Sequence, residues 1–319
     1  SSDGTLFAVP FYAESSFIYY RTDLFEKAGL EMPESPTYEE IAAFAKVLHD
    51  PGNGQYGISL RGKPGWGENM AYVTTLVNTF GGRWFDMDWN PQLDSPEWEE
   101  AIQFYVDLLV NYGPPGSSSY GHNECRALFA SGKSAMWIDS TAAAGPIFNP
   151  AESLVYDKTG FAKAPISKVP NGAEWAWVWA LAIPSSSKQA DAAKAFLRWA
   201  TSKDYVTAVG ETEGWISVPP GTRTSTYERK EYLDAAPFAL FTRDAILSAD
   251  PTNSTRDPVP YTGVQFVAIP EFQGIGTQVG QAVASALSGQ TTVKEALANA
   301  QEATRRTMQQ AGYPESATQ

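Results

Sequence analysis

Residues 4–25 read GTLFAVPFYAESSFIYYRTDLF, and this stretch sets the pattern for the rest of the chain. The run 5–12 is short and apolar and contains Pro10, which predicts a strand that ends near the proline. Residues 22–28 have a helical pattern and precede Gly29, the residue that most often closes a helix in the left-handed conformation. A strand followed by a helix is the first sign of an α/β protein.

The same alternation continues along the chain. Helix starts, such as Thr37 with Glu40 three residues later, and stops at glycine or proline divide it into segments. Helices are predicted over residues 38–48, 69–80, 97–112, 122–130, 188–201, 202–210, 231–247, 272–288 and 292–311. Strands are predicted over residues 56–60, 135–138 and 175–183. We therefore expect layers of strands and helices, the α/β class.

The composition excludes several classes of protein. Of the 319 residues, 43% are hydrophobic, which is enough for one large domain or two ordinary ones. No apolar run reaches the roughly 18 residues that a membrane span needs. The formal net charge of −13 would repel nucleic acids and anionic membranes. Cys125 is the only cysteine, so neither an internal disulfide nor a cysteine-based zinc site is possible.

Signals for catalysis are weak. His49 and His122 are the only histidines, and we expect both to be ordinary core or surface residues. The sequence has no Gly-x-Ser-x-Gly elbow, phosphate loop or metal-ligand cluster. We therefore predict no catalytic residue and no cofactor.

One acidic segment has the spacing of a calcium-binding loop. Positions 1, 3, 5, 9 and 12 of an EF-hand are matched by Asp86, Asp88, Asn90, Asp94 and Glu97. Pro91 stands at the sixth position, where that loop needs glycine for its sharp turn. The last two acidic residues are explained by a helix start, so no metal site is predicted.

Tryptophan is abundant, with 10 residues, and several lie close together among small or polar neighbours. An aromatic ring can stack on the C–H face of a carbohydrate while nearby polar groups bond its hydroxyls. Core packing is the alternative for each of them.

The order of motifs resembles that of the family 1 extracellular solute-binding proteins of bacterial ABC carbohydrate importers. The resemblance is carried by the strand at 4–10, Glu14, YYRTDLF at 19–25, PTYEE at 36–40, FGG at 80–82, ASGKSAM at 130–136, LAIP at 181–184 and GWISVP at 214–219. Within the family, residues 10–16, 61–69 and 215–223 look most like those of sorbitol- and mannitol-binding proteins.

The resemblance implies a two-lobed periplasmic-binding-protein fold of type II. Residues 1–11 would form a lobe-one strand and the first crossover, 12–174 lobe two, 175–225 a segment of lobe one, and 226–319 mainly the C-terminal helices of lobe two. The implied function is capture of a polyol or small sugar for the transmembrane subunits of an ABC permease. We expect a monomer that does not bind nucleic acid and lies in the periplasm, or outside the cell and tethered to the membrane.

The beginning of the chain departs from the family pattern. Family members carry a substantial part of lobe one before the strand at residues 4–10, and residues 1–4 show no signal-peptide pattern. We expect an incomplete lobe one, and poor stability of the chain alone, because its sheet would not be closed.

Two segments supply the first candidate ligand-binding residues. By family resemblance, Glu14 lies at the first crossover, and a carboxylate can accept hydrogen bonds from two neighbouring hydroxyls. A solvated loop carboxylate is the alternative. Its candidate neighbours are Tyr12 and Ser15. The second segment joins a strand to a helix and is rich in glycine; its candidates are Arg61, Trp66, Glu68 and Asn69. A surface salt bridge is the alternative for the charged pair.

The remaining candidates follow predicted strands or a turn. Asp139 and Thr141 come after the strand at 135–138, where relatives place a ligand-facing loop, although Asp139 would also suit a helix N-cap. Three alternating tryptophans share one side of the strand at 175–183. Trp177 and Trp179 are predicted as a stacking platform, whereas Trp175 is left open. Arg223 follows a Pro-Pro-Gly turn near the third crossover.

Three alternatives stay open, and one of them, a receptor accessory that reports ligand to a chemotaxis protein, can coexist with transport. Carboxylates beside tryptophans also describe carbohydrate-active hydrolases, which need a pair of carboxyl groups across the glycosidic bond. A binding protein for a different sugar or an oligosaccharide is the third.

Overall fold

The computed structural model describes Gly4 and residues 6–313. Within this part the strands are β1 (Ala8–Glu14), β2 (Ser16–Arg21), β3 (Met136–Ser140), β4 (Thr159–Lys163) and β5 (Trp177–Ala182). The α-helices are α1 (Thr22–Ala28), α2 (Tyr38–Leu48), α3 (Asn69–Thr79), α4 (Pro96–Tyr112), α5 (His122–Ala130), α6 (Ala144–Phe148), α7 (Ala190–Ala200), α8 (Lys203–Thr212), α9 (Lys230–Ala235), α10 (Ala239–Ser248), α11 (Phe272–Leu287) and α12 (Val293–Gln310). The prediction of mixed helices and strands is confirmed.

The strands form two antiparallel sheets. β1 pairs with β5, with Glu14 opposite Trp177. β2 is the centre of the other sheet, between β3 and β4. Ser15 alone separates β1 from β2, so the chain passes directly from one sheet into the other. Side chains near this passage therefore lie between the two sheets.

The three-stranded sheet is covered on both faces. Ile18 of β2 belongs to a large apolar cluster with residues of α2, α3, α4, α11 and α12. Its neighbours Phe17 and Tyr19 belong to a second cluster with residues of α5, α6, α9 and α10. Alternate residues of a strand point to opposite faces of the sheet. Burial of both faces therefore explains the continuous apolar run FIYY in β2. Packing of both clusters fixes the sheet as a central layer.

Most predicted helices are confirmed, with ends within two residues of those observed. The single helix predicted over 231–247 is wrong, because the structure has α9 and α10 separated around Pro237. Proline lacks the backbone N–H that an interior helical position donates, and its ring clashes with the preceding turn. The strand predicted over 56–60 is also wrong. There the chain makes only isolated bridges, Tyr56 to Ser134 and Ser59 to Trp137.

The first predicted strand is displaced. β1 begins at Ala8 and continues to Glu14, while Thr5 lies outside the described residues. Pro10 does not end the strand. The pairing register shifts between Pro10 and Tyr12, and irregular positions of this kind tolerate proline, which has no backbone N–H to donate. β2 and β4 had not been predicted as strands. Among the described residues, no helix combines the length and the apolar character needed to cross a membrane.

The segment that follows Val218 passes close to β1. The N–H of Ala13 donates to the carbonyl of Pro220 at 3.0 Å, and the Thr222 hydroxyl donates to the carbonyl of Phe11 at 3.2 Å. Gly221 has φ of 90°, and a Cβ added there would lie 2.6 Å from both the Cβ and the carbonyl oxygen of Ala13. Glycine thus lets this segment lie directly on the end of β1.

Gly221→Ala should lower the free energy of unfolding by more than Gly214→Ala. Both glycines have positive φ, 90° and 87°, so both variants carry a conformational cost of about 1–3 kcal/mol. Only at Gly221 does the new methyl group meet neighbouring atoms, which adds about 1–3 kcal/mol. Urea unfolding of the two variants measures the difference. Equal losses would show that the contact with Ala13 is not tight.

Candidate ligand-binding site

A cleft of about 630 Å³ lies where the two sheets meet. Its wall combines the end of β1, the face of β5, the turn after β3, α5, and residues 216–220. The lining is part apolar and part charged. This combination suits a ligand that has both C–H faces and polar groups.

Arg61 and Asp139 form a buried ion pair at the base of the cleft. Nε of Arg61 donates to Oδ2 of Asp139 at 2.8 Å, and Nη2 donates to Oδ1 at 2.5 Å. Nη1 donates to the carbonyl of Gly67 at 2.9 Å. The Arg61 side chain is 9% exposed and that of Asp139 1% exposed. A two-pronged pair of this kind fixes the plane of the guanidinium. Two of the five guanidinium N–H groups are not used by these three bonds.

The charges around Asp139 keep it ionised. Burial alone would raise its pKa, but Arg61 and His122 together hold the pKa of Asp139 well below its usual range. Asp139 in turn raises the pKa of Arg61 despite burial, so the guanidinium is always charged. Nδ1 of His122 lies 2.9 Å from Oδ1 of Asp139. Because a carboxylate only accepts, Nδ1 carries the proton in this bond, and Nε2 is the ring nitrogen available for other partners.

Glu14 is the last residue of β1 and projects into the cleft. Burial raises the pKa of Glu14, while a hydrogen bond from Ser140 and the charge of Arg61 oppose that rise. Burial and the nearby Glu14 also raise the pKa of Tyr12 to about 12, so the Tyr12 hydroxyl remains a donor at neutral pH. The cleft thus holds a desolvated carboxylate beside a phenol.

Tryptophans form one side of the cleft. Trp175, Trp177 and Trp179 all line it, as their alternation along the chain requires. Trp179 stacks on Tyr12 with ring centres 6.0 Å apart, and Trp177 lies 5.7 Å from Trp66. The guanidinium of Arg61 lies 5.5 Å from the ring of Trp175. The row of aromatic rings therefore continues from the buried ion pair to the exposed ring of Trp179.

Several polar atoms of the cleft wall are buried without a partner among the described residues. They are Nε1 of Trp175, Nε1 of Trp177 and Oε2 of Glu68. The other carboxylate oxygen of Glu68 accepts from Lys63 at 3.2 Å. Leaving a buried donor or acceptor unpaired costs about 1–3 kcal/mol. Hydroxyl groups of a ligand would remove that cost, since a hydroxyl both donates and accepts.

The structure brings eight of the predicted site residues to the cleft: Tyr12, Glu14, Arg61, Trp66, Glu68, Thr141, Trp177 and Trp179. Thr141 has a structural bond as well. Its hydroxyl oxygen accepts from the N–H of Ser15 at 3.0 Å, and its own N–H donates to the carbonyl of Ser15 at 2.8 Å. These two bonds join the turn after β3 to the passage between β1 and β2.

Four predicted residues do not line the cleft. Ser15 is fully buried between β1 and β2. The Asn69 side chain bonds the N–H of Gly65 and the carbonyl of Gly280, which joins the loop before α3 to α11. Asp139 lies behind Arg61, as described above. Arg223 donates to the carbonyl of Thr201, just after α7, from two guanidinium nitrogens. The side chains of Asn69, Asp139 and Arg223 are occupied by contacts within the protein, whereas the Ser15 hydroxyl is buried without a hydrogen-bond partner among the described residues.

Sequence reasoning missed other lining residues. They include Phe11, His122, Arg126, Ser140, Gln265 and Phe266, together with Trp175, which had been left open. The structural reading of His122 was incomplete, because the ring contacts Asp139 and lines the cleft. The alternation of three tryptophans was a sufficient signal for Trp175. Gln265 lies in an irregular segment, and no sequence pattern indicated that it reaches the cleft.

The acidic loop at residues 86–97 is explained by turn structure. Oδ1 of Asp86 accepts from the N–H groups of Asp88 and Asn90 at 3.0 and 2.9 Å. Ser95 begins α4, accepting from the N–H of Trp98. Over the described ranges, no group of three or more histidine, cysteine, aspartate or glutamate side chains is arranged to hold a metal ion.

Comparison with known proteins assigns the chain to a family. The model of the bacterial extracellular solute-binding proteins matches residues 1–207. The chain belongs to this family. This chain is 54% identical to the mannitol-binding protein of Pseudomonas aeruginosa, over 98% of this chain and 72% of that protein.

Solved structures agree with the family. An ABC transporter solute-binding protein of Agrobacterium vitis S4, crystallised with D-mannitol, superposes with a TM-score of 0.97 at 57% identity, covering 99% of this chain and 76% of the other. One from Agrobacterium radiobacter K84 with ribitol gives a TM-score of 0.80 at 29% identity, covering 96% and 72%. The fold is the α/β two-lobe, type II periplasmic-binding-protein fold.

Glu14→Gln should stabilise the unliganded protein at neutral pH. The folded pKa of Glu14 lies above its unfolded value, so ionisation is costlier in the folded state. Its contribution to the free energy of unfolding therefore falls as pH rises through 4.5 towards the folded pKa. The melting temperature of Glu14→Gln should match that of wild type near pH 4 and exceed it at pH 7. Glu31→Gln, at an exposed position, serves as the control. A Glu14→Gln variant that melts lower than wild type at pH 7 would contradict this assignment.

Proposed function

We propose that this protein captures an acyclic hexitol, D-mannitol or a close relative, and delivers it to the permease of an ABC importer. The observation that carries the proposal is the wall of the cleft: a carboxyl group and a guanidinium line it together with indole N–H groups that have no partner among the described residues. A hexitol has six adjacent hydroxyl groups, and each of them can both donate and accept a hydrogen bond. The cleft wall offers both donors and acceptors to such a ligand. The similarity to proteins named for mannitol, or crystallised with it, supports the same ligand class.

Each part of the wall has a role in this proposal. Glu14 accepts from ligand hydroxyls, and the guanidinium N–H groups of Arg61 that are not bonded to Asp139 or Gly67 donate to them. Charge-assisted bonds of this type contribute about 1.5–3 kcal/mol each. The faces of Trp177 and Trp179 pack on the carbon chain. A flexible polyol loses conformational freedom on binding, so preformed partners such as the fixed guanidinium limit the total cost.

Capture requires that the ligand contact both sides of the cleft. We propose that closure of the two lobes about the connecting segments near Ser15, Trp175 and Gly221 brings the β1–β5 side towards Arg61 and Thr141. Ligand shifts the equilibrium to the closed form only as far as it binds that form better. The lobe boundaries near residues 11, 174 and 225 belong to the same proposal.

The cellular role completes the proposal. Members of this family are substrate-binding proteins, and we infer that this one likewise does not turn its ligand over. We place it in the periplasm, or tethered outside the membrane, as a monomer that docks on the transmembrane subunits. A hydrolase with paired carboxylates, or a binder of another sugar or an oligosaccharide, is the competing function.

The ligand class is tested by thermal shift and calorimetry. D-Mannitol and D-sorbitol should raise the melting temperature, because a ligand that binds only the native state stabilises it by RT ln(1 + [L]/Kd), about 2.7 kcal/mol at one hundred times Kd. Maltose and a chromogenic glycoside are the controls, and neither should shift melting or be cleaved. A shift with maltose and none with hexitols would contradict the hexitol assignment, and release of chromophore would favour the hydrolase.

A further inference from the structure

Gln265 lies at the tip of a tight loop that reaches the cleft. The N–H of Ala268 donates to the carbonyl of Thr262 at 2.9 Å, which closes the loop. At Gly263, φ is 127° and an added Cβ would lie 2.0 Å from the carbonyl oxygen of Phe266, so only glycine permits this turn. Asn78 of α3 donates to the carbonyl of Val264 at 3.0 Å. These contacts fix the conformation of the loop that carries Gln265.

The amide of Gln265 holds one residue of the chain that leads into β5. The N–H of Ala176 donates to Oε1 of Gln265 at 3.2 Å, and Nε2 of Gln265 donates to the carbonyl of Ala176 at 3.0 Å. Gln265 is 5% exposed. Ala176 precedes the first paired residue of β5, so the side chain supplies the two bonds that a neighbouring strand would otherwise make. The orientation of this backbone segment is thereby fixed.

Ala176 lies between two tryptophans of the cleft wall. Trp175 and Trp177 both line the cleft, and the indole N–H of each is unpaired among the described residues. Phe266, next to Gln265, contacts Trp177 edge-on with ring centres 5.6 Å apart. Rotation of the Ala176 backbone would move both indoles, because they are attached on either side of it. The amide bonds therefore bear directly on where these two donors point.

We propose that Gln265 is a positioning residue for ligand recognition, which holds Trp175 and Trp177 so that their indole N–H groups meet the hydroxyls of a polyol. The proposal rests on the function proposed above. It assigns to Gln265 an effect on affinity that exceeds its effect on stability. Gln265 belongs to none of the motifs identified in the sequence. Its role is visible only in the two bonds to Ala176.

A matched pair of variants separates positioning from stability. Gln301 makes the same two-point bond elsewhere: it accepts from the N–H of Leu93 at 2.9 Å and donates to the carbonyl of Pro91 at 2.7 Å. Gln265→Met and Gln301→Met each remove two such bonds with little change in volume. Both should lower the melting temperature of the unliganded protein. Only Gln265→Met should raise the Kd for D-mannitol, by about tenfold or more, and alter the tryptophan near-ultraviolet circular dichroism of the unliganded protein.

Hydrogen exchange tests the same idea without any variant. D-Mannitol should slow exchange of the Ala176 amide in wild type by at least tenfold, and leave the Leu93 amide unchanged. The proposal is overturned if Gln265→Met binds D-mannitol like wild type, or, should that variant not fold, if the Ala176 amide is no more protected by ligand than that of Leu93. If wild type binds no hexitol, the proposed function fails, and an unaltered dichroism spectrum of Gln265→Met would separately refute the positioning of the indoles.

Discussion

The buried pair of Arg61 and Asp139 is the interaction on which the site depends. A guanidinium and a carboxylate at this depth lose their hydration, and the pair offsets that loss only with near-ideal geometry. The fold supplies this geometry from two directions, since Asp139 lies in β3 and Arg61 follows a segment that bridges to β3 at Trp137. The Tyr105 hydroxyl of α4 fixes the carbonyl of Arg61 at 2.7 Å. Such pairs contribute little net stability, so orientation of the guanidinium is the better explanation for this one.

The pair also sets the electrostatics of the cleft. Burial raises the pKa of Glu14; the charge of Arg61 lowers it, and the charge of Asp139 opposes the effect of Arg61. Glu14 is therefore a desolvated carboxyl group that accepts a hydrogen bond from Ser140. His122 is fixed by the same carboxylate, with Nδ1 committed to it. The base of the cleft is thus rigid, whereas the tryptophan side is held by the β1–β5 pairing and by the amide of Gln265.

Local sequence signals predicted helices well and strands poorly. Caps such as Thr37 with Glu40, and stops such as Gly29, are local events, and the corresponding helix ends were correct. β4 depends on pairing with β2 across more than a hundred residues, which leaves little trace in TGFAK itself. The same distinction between local and long-range signals applies to the residues of the site. Residues in motifs, such as Glu14 and Arg61, could be predicted from the sequence and line the cleft, whereas Gln265 reaches the cleft only through tertiary structure. Asp139 was predicted to contact ligand because its position after a strand does not reveal that Arg61 covers it.

The most direct test is calorimetric titration of D-mannitol into a double variant, Arg61→Met with Asp139→Leu. Removing both charges leaves neither uncompensated, so the double variant should fold and be more stable than Asp139→Asn, in which a buried guanidinium loses its partner at a cost of about 3–5 kcal/mol. Its Kd should rise by more than about a hundredfold, because two charge-assisted hydrogen bonds to the ligand are lost. A folded double variant that binds D-mannitol as tightly as wild type would contradict the central place of this pair.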